Sequence, residues 1–218
     1  MAKGIRKAKH LVPADTYSLM NIVYRTKSTR EVQLLTALEL LDGFINIRND
    51  LDKSAAAFGI CELVLRTTEV QDPNPLLFEI LVNTLKGLDS AQSHPQNYYW
   101  YFQLGLIKSL GFGFQTESCA SCGKNAADFK GDRYPVSFES GGTVCEDCAS
   151  SETIRFTLQP ETLKVLQFLS QKDLEKIGRL RPSIHAAREI EGLFSSYLKY
   201  HVEGLKTLKS SELIYRKQ

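Results

Sequence analysis

The amino-acid sequence predicts an α+β fold that is mainly α-helical, with a small β region first and a four-cysteine insertion between the helices. Its 218 residues are 43% hydrophobic and 24% charged, which is typical of one or two globular domains with a sizeable core. The apolar residues change from strand-like to helical spacing near residue 50. Two closely spaced cysteine pairs then lie between stretches of helical spacing. A peptide hormone or a disulfide-stapled mini-domain is excluded by this length.

Basic residues are concentrated near the N-terminus, although the net charge of the whole chain is only +2. Residues 1–30 contain a single acid, Asp15, and seven basic residues: Lys3, Arg6, Lys7, Lys9, Arg25, Lys27 and Arg30. This distribution favours a polyanionic partner, and a solvated basic tail is the alternative. No apolar run approaches the roughly 18 residues of a membrane-spanning helix, and no secretory signal follows the basic start. We therefore expect a cytoplasmic protein without a membrane partner.

The first regular elements are two strands within residues 16–41. The runs TYSLMNIVYRT and VQLLTALEL are rich in β-forming residues or partly alternate between apolar and polar residues. The polar stretch from Lys27 to Arg30 separates them and predicts a hairpin turn. The second run also contains leucine and alanine, so its residue propensities alone would allow a helix. The spacing of the apolar residues favours a strand.

Helical spacing begins near residue 50. It covers residues 52–70 and resumes from Leu77 to Leu88 after a break that contains two prolines. A third helix follows Pro95 and is dense in aromatic residues: Tyr98, Tyr99, Trp100, Tyr101 and Phe102. Aromatic side chains can stack on nucleic-acid bases, but the apolar face continues through Leu104 and Ile107. Packing in a core is therefore the favoured interpretation.

Two more helices are predicted after the cysteine pairs. One begins near Pro160, and the last runs from about Pro182 to Leu205 with an apolar side that includes His201. We expect the helices before and after the cysteines to pack together as one domain. At this position His201 is more easily explained as a hydrogen-bonded core residue than as a metal ligand.

The strongest local signal is a pair of C-x2-C motifs. Cys119 and Cys122 form the first, Cys145 and Cys148 form the second, and 22 residues lie between them. A reducing compartment makes disulfides the less favoured use of this spacing. Two such motifs supply the four thiolates of a tetrahedral Zn²⁺ site, and the intervening glycines suit the tight turns of a zinc ribbon. A shell of four cysteines leaves no open coordination position, so the expected ion is structural rather than catalytic.

An enzyme remains an alternative at this point. The string His201-Val202-Glu203 matches the H-x-E of zinc-dependent nucleobase deaminases. The order of the motifs is reversed here, however, and valine rather than proline precedes Cys145. No phosphate-binding loop, dinucleotide-binding motif or activated serine is visible. The sequence therefore predicts a protein that is not an enzyme.

Three stretches of the chain resemble the RecO family of bacterial recombination mediators. AKGIRKAKH is similar to the basic strand-to-loop stretch of that family's N-terminal OB-fold. CASCG followed by VSFESGGTVCEDC is similar to its zinc module, and YLKYHVEGLKTLKSS to its closing helix and Lys-Ser end. The resemblance covers essentially the whole chain.

The resemblance implies four regions. These are a partial OB-fold-like β region over 1–48, a helical domain in two parts over 49–118 and 152–218, and a zinc-ribbon insertion over 119–151. Relatives carry further residues before the position of Met1, which supply the first strands of the OB-fold. We therefore expect this chain to begin inside that domain, with residues 1–48 as its remnant.

The resemblance also implies a function in DNA repair. The protein would bind single- and double-stranded DNA, anneal complementary strands and assist RecA loading in the RecF pathway with RecR, in the cytoplasm at the nucleoid. It would bind the acidic, Phe-ending C-terminal tail of the single-stranded-DNA-binding protein on its helical domain. Arg179, Arg181 and Arg188 are loose candidates for that contact. A zinc-stabilised protein-interaction module without DNA binding is the alternative function.

Overall fold

The computed structural model describes residues 16–29, 31–70, 72–171, 173–205 and 207–214. Over these residues the chain is α+β, with helices predominating and two small antiparallel sheets, which confirms the predicted fold class. None of the helices described is both long enough and apolar enough to cross a membrane.

The N-terminal β region is a hairpin. Strand β1 (Leu19–Arg25) pairs antiparallel with β2 (Leu34–Asp42), with Ile22 opposite Leu38. The strand at β2 forms although its composition also allows a helix, because cross-strand pairing supplies its backbone hydrogen bonds. Within the described part of the chain, no third strand pairs with this hairpin. The OB-fold therefore remains a prediction.

Four helices follow the hairpin. A side-chain oxygen of Asp50 accepts hydrogen bonds from the first-turn amides of α2, and Asn74 caps α3 in the same way. Most of the aromatic side chains of α4 are buried, so they belong to the core. Asn97, also on α4, donates to the carbonyl oxygens of Ile177 and Leu180. The helices are α1 (Ile45–Asn49), α2 (Leu51–Thr67), α3 (Pro75–Ser90) and α4 (Pro95–Ser109).

A three-stranded sheet occupies the middle of the chain. Strand β3 (Tyr134–Ser137) is central, between β4 (Gly142–Thr143) and β5 (Ile154–Leu158), and both pairings are antiparallel. Val136 on β3 and Leu158 on β5 are fully buried in the same core as the α4 aromatics. The sheet is thus seated on the helical body.

Three of the helices after the sheet pack against α4, and α8 packs against α2. α4 contacts α5, α6 and α7, so helices from both sides of the cysteine pairs pack together, as predicted. The helix that was predicted to run from about Pro182 to Leu205 ends at His201. These helices are α5 (Pro160–Ser170), α6 (Leu174–Ile177), α7 (Ile184–His201) and α8 (Ser211–Ile214).

Candidate metal centre

The four paired cysteines meet at one point. All four Sγ atoms lie within 4.8 Å of one another, although the two motifs are far apart in sequence. The Sγ atoms of Cys122 and Cys145 are 3.7 Å apart, and no disulfide joins any of the four. Four sulfurs at about 2.3 Å from a central Zn²⁺ would be separated by about 3.8 Å in a tetrahedron. This cluster can therefore hold a metal ion, and its donor set suits a thiophilic one.

The backbone directs each pair of thiols toward the centre. Gly123 follows the first motif in the left-handed region (φ 79°), and its N–H donates to the Cys119 carbonyl oxygen at 2.9 Å. In the second motif, the Cys148 N–H donates to the Cys145 carbonyl oxygen at 3.1 Å. The Cys145 N–H also donates to Cys119 Sγ at 3.2 Å and so links the two turns. Glycine is favoured at position 123 because an L side chain would be strained there.

The thiols differ in how readily they ionise. Burial opposes ionisation of Cys119, but hydrogen bonds from the backbone N–H groups of Cys122, Cys145 and Ser121 outweigh it and lower its pKa to about 6. Cys148 has the opposite character, because its contacts with the sulfurs of Cys122 and Cys145 raise its pKa to about 12. A cation at the centre would favour the thiolate form of all four, as metal binding requires.

A lysine and two acids link the two cysteine turns on the outside. Lys124 Nζ lies 2.5 Å from Glu146 Oε1 and 3.2 Å from Asp147 Oδ2. The hydrogen bond from Lys124 lowers the pKa of Glu146 to about 2, and the same contact raises the pKa of Lys124.

Glu152 fastens the cysteine turns to the sheet. Its carboxylate accepts hydrogen bonds from the hydroxyls of Ser121 (2.7 Å), Ser137 (2.8 Å) and Ser140 (2.7 Å). The sequence did not identify this residue, since a single glutamate among serines carries no recognisable spacing. Only the fold brings these three hydroxyls around one carboxylate.

Close backbone packing joins the insertion to the segment that follows α4. A Cβ atom at Gly142 would lie 2.5 Å from the Gln115 carbonyl oxygen, so only glycine allows the bridge between these residues. The Gln115 N–H donates to the Gly141 carbonyl oxygen at 2.8 Å. The paired glycines therefore serve close approach of two backbones as well as the turn.

His201 takes no part in the described metal cluster. Its ring stacks on Phe112 with centroids 4.6 Å apart and contacts Tyr197 and Tyr200. Burial lowers the pKa of His201. The H-x-E string is therefore not assembled with the cysteines, and the deaminase alternative has no support from the geometry.

The predicted DNA-binding residues are only partly described. Lys3, Arg6, Lys7, Lys9 and Arg30 lie outside the described residues. Arg25 ends β1 and Lys27 follows it, and both are exposed. Tyr24 beside them has 57% of its surface exposed. One end of the hairpin thus has two exposed cations and an exposed aromatic ring.

The three candidate arginines for partner binding do not share one site. Arg179 and Arg181 are exposed between α6 and α7, where Arg181 contacts His94. Arg188 is exposed on α7 and lines a separate cavity of about 340 Å³, here called the α4–α7 cavity. The sequence missed the other residues of this cavity because they come from three distant segments. They include Tyr99, Gln103, Leu198, Lys199, Leu205 and Leu208.

Comparisons with known proteins find relatives over most of the chain. Residues 48–212 match the family model described as Recombination protein O C terminal. A relative from Dehalococcoides mccartyi strain CBDB1 is 28% identical over 93% of this chain and 78% of its own length. One from Desulforamulus reducens is 30% identical over 86% of this chain and 70% of its own length.

A third relative, from a Roseiflexus species, is 29% identical over 93% of this chain and 70% of its own length. All three are named DNA repair protein RecO. The family description and these names denote recombination and repair proteins and not an enzyme, as the sequence predicted. The chain belongs to the RecO family of DNA repair proteins.

Proposed function

We propose that this chain binds DNA without catalysing a reaction, anneals complementary single strands and assists RecA loading together with RecR in the cytoplasm, at the nucleoid. Family membership supports the assignment to DNA repair. The observation that carries DNA contact is the hairpin end, where Tyr24, Arg25 and Lys27 are all exposed. Cations beside an aromatic ring suit both the phosphates and the bases of a nucleic acid.

Binding of this kind requires no catalytic group. Arg25 and Lys27 neutralise phosphates and release condensed counterions, on single or double strands. Tyr24 offers a face on which an unpaired base can stack. Two strands that are held in this way repel each other less, while their bases stay free to pair. Lys3, Arg6, Lys7, Lys9 and Arg30 are proposed to extend the same basic surface.

The metal is proposed to be one structural Zn²⁺ ion held by Cys119, Cys122, Cys145 and Cys148. Four thiolates fill its tetrahedral shell, so the ion would stabilise the local fold and leave no position for a substrate. The short strands β3 and β4 and the two cysteine turns fit a zinc ribbon. An apolar cluster of few buried residues surrounds the cysteines, so this region has little other stabilisation.

The α4–α7 cavity is proposed to bind the C-terminal tail of the single-stranded-DNA-binding protein. Its apolar walls include Leu198, Leu205 and Leu208, which suit an aromatic side chain at the end of a peptide. Arg188 and Lys199 lie at the same cavity and are exposed, so they can pair with acidic residues and a terminal carboxylate. Arg179 and Arg181 do not line it.

The DNA proposal is tested by removing the two described hairpin cations. We expect Arg25→Ala/Lys27→Ala to weaken binding of a fluorescent oligonucleotide and to lower the salt slope by about 0.7 for each single-strand phosphate that is no longer neutralised. The matched control is Lys86→Ala/Lys108→Ala, which removes the same charge from exposed positions on α3 and α4. Anisotropy titrations at several salt concentrations measure both quantities.

Equal losses in the two double variants would show that only net charge matters and would exclude the hairpin as an interface. An unmodified protein that retains no DNA even at low salt would favour the protein-interaction module instead. Either result leaves the family assignment intact.

A further inference from the structure

The C-terminal segment over residues 207–214, here called the C-terminal strap, separates two cavities. Thr207, Leu208 and Ser211 line the α4–α7 cavity. Leu213 and Ile214 line a second cavity of about 560 Å³ on the other side, against α2 and the start of α4. A displacement of the strap would therefore change the walls of both cavities.

The buried carboxylate of Glu62 binds the backbone of the strap. Glu62 on α2 is only 7% exposed, and its two oxygens accept hydrogen bonds from consecutive backbone amides of the strap. The Lys209 N–H donates to Oε1 at 3.0 Å and the Ser210 N–H to Oε2 at 2.9 Å. Hydrogen bonds to an ionised acceptor are stronger than neutral ones, and a buried carboxylate without them would be costly.

A second contact seats the end of the strap on the same helix. A Cβ atom at Gly59, one turn before Glu62, would lie 2.7 Å from Ile214 Cδ1 and 2.9 Å from Tyr99 Cε2. Glycine at this position therefore lets the strap and α4 approach α2 closely. Tyr99 also lines the α4–α7 cavity, so this contact and the Glu62 contact both bear on the wall of that cavity.

One buried polar atom of the α4–α7 cavity has no hydrogen-bond partner among the described residues, and a ligand could supply one. Gln103 lines it, is only 4% exposed, and its Oε1 atom has no hydrogen-bond partner among the described residues. A buried carbonyl oxygen without a donor is uncommon in folded proteins. A peptide backbone N–H that enters the cavity could supply that donor.

We propose that the C-terminal strap is the latched wall of the α4–α7 cavity, and that Glu62 is the positioning residue that sets the cavity's shape for a peptide ligand. The inference rests on the proposed function, in which this cavity binds an acidic, Phe-ending tail. Glu62 touches no ligand. It fixes Leu208 and Ser211 at the cavity through the two amides that lie between them in the chain, and release of the strap widens the cavity and weakens the binding of the peptide.

The latch is tested directly with Glu62→Gln in the full chain. We expect hydrogen exchange at the amides of the strap to rise by about tenfold or more, while exchange in α4 and α7 stays unchanged. The probe for the cavity is a nine-residue acidic peptide with a C-terminal Phe and a free carboxylate. Its dissociation constant should rise by about tenfold.

Asp89→Asn is the matched control. Asp89 is also a carboxylate that accepts a backbone N–H, from Ile47 at 3.0 Å, but it lines neither cavity. This variant should leave strap exchange and peptide affinity unchanged. Gly59→Ala is the second variant, because its methyl group displaces Ile214 of the strap and Tyr99 of the cavity wall without altering the Glu62 carboxylate. It should also weaken the binding of the peptide.

The Arg188→Ala/Lys199→Ala variant separates the inference from the proposed function. Weaker peptide binding in this variant, with strap exchange unchanged, supports the cavity as the peptide site. If Glu62→Gln then speeds strap exchange without changing peptide affinity, the strap is not a functional wall and the inference is overturned. If strap exchange does not change in Glu62→Gln, the latch itself is excluded. Full peptide affinity in Arg188→Ala/Lys199→Ala would reject the proposed site and with it the role of the strap there.

Discussion

The described residues form two small antiparallel sheets that differ in how they are stabilised. In the β3–β4–β5 sheet, Val136 and Leu158 are completely buried against the helical body. In the β1–β2 hairpin, Ile22 and Tyr24 leave more than half of their surface exposed. An isolated two-stranded hairpin is marginally stable at best, and β4 adds only two residues to the central sheet. The difference between them therefore lies in what each sheet packs against.

The central sheet has a structural role, whereas the hairpin provides an accessible surface. The central sheet packs against the apolar core, and the Glu152 carboxylate joins it to the turns that carry the four thiols. The hairpin exposes apolar side chains, and no other strand among the described residues pairs with it. Such a surface is typical of one that pairs with or binds something else. The proposed DNA contact lies on the β1–β2 hairpin, whose surface is exposed.

Removal of the metal should give the largest difference between the two sheets, because it acts on the cysteine turns beside the central sheet and not on the hairpin. Cys122→Ser is expected to abolish stoichiometric zinc binding and to unfold the cysteine turns, because metal binding contributes about 10–16 kcal/mol in isolated zinc fingers. Metal analysis and hydrogen exchange over residues 117–150 measure the two effects. The hairpin should keep its exchange pattern, since none of its residues belongs to the cluster.

Cys61→Ser is the control for that variant, because Cys61 is a free cysteine outside the described cluster. It should retain the metal in full. Zinc retention in Cys122→Ser, or zinc loss in Cys61→Ser, would contradict the assignment of the four ligands.

A pair of leucine substitutions should give the next largest difference. Leu158→Ala removes a fully buried side chain from β5 and should lower the free energy of unfolding by about 2–5 kcal/mol. Leu34→Ala removes the same atoms from β2, where the residue is 50% exposed. This variant should change the free energy of unfolding by about 0.5 kcal/mol or less. Urea denaturation of both variants gives the values. Equal losses would mean that the hairpin is as firmly packed as the central sheet.

The sequence predicted the parts of this molecule that depend on local spacing. The helices near residues 52–70 and 77–88, the hairpin and the meeting of the four cysteines follow from periodicity and from two short motifs. The β2 strand was predicted from apolar spacing against its helical propensity, and cross-strand pairing explains why the spacing was the better guide.

The sequence did not predict contacts between distant segments. Glu62 and Ser210 are 148 positions apart, and Arg188 and Leu208 meet only because α7 and the strap enclose one cavity. Such contacts depend on how helices pack, and no local spacing encodes them. The three arginines proposed together for partner binding illustrate this, since only Arg188 lines that cavity.

The smallest expected effect concerns Glu152, which joins the cysteine turns to the supported sheet. Its hydrogen bonds from Ser140, Ser121 and Ser137 lower its pKa below the ordinary value of 4.5. A carboxyl group whose pKa is lower in the folded protein stabilises the fold above the ordinary pKa, and this contribution disappears as the pH falls through the folded value. Glu152→Gln should therefore lower the urea midpoint at neutral pH, by less than Leu158→Ala does.

The pH dependence distinguishes this charge effect from a loss of shape. The difference in stability between the unmodified protein and Glu152→Gln should be constant at neutral pH and should shrink as the pH falls below 4.5. Acid also protonates the cysteine thiolates and releases the metal, so the two proteins are compared only over the pH range in which metal analysis shows that both keep the ion. A difference that persists at the lowest pH would mean that the carboxylate's charge contributes nothing and that Glu152→Gln loses stability because one of the two acceptor oxygens is replaced by an amide NH2, which donates. The two oxygens of Glu152 would then hold the cysteine turns to the sheet through hydrogen-bond geometry and not through charge.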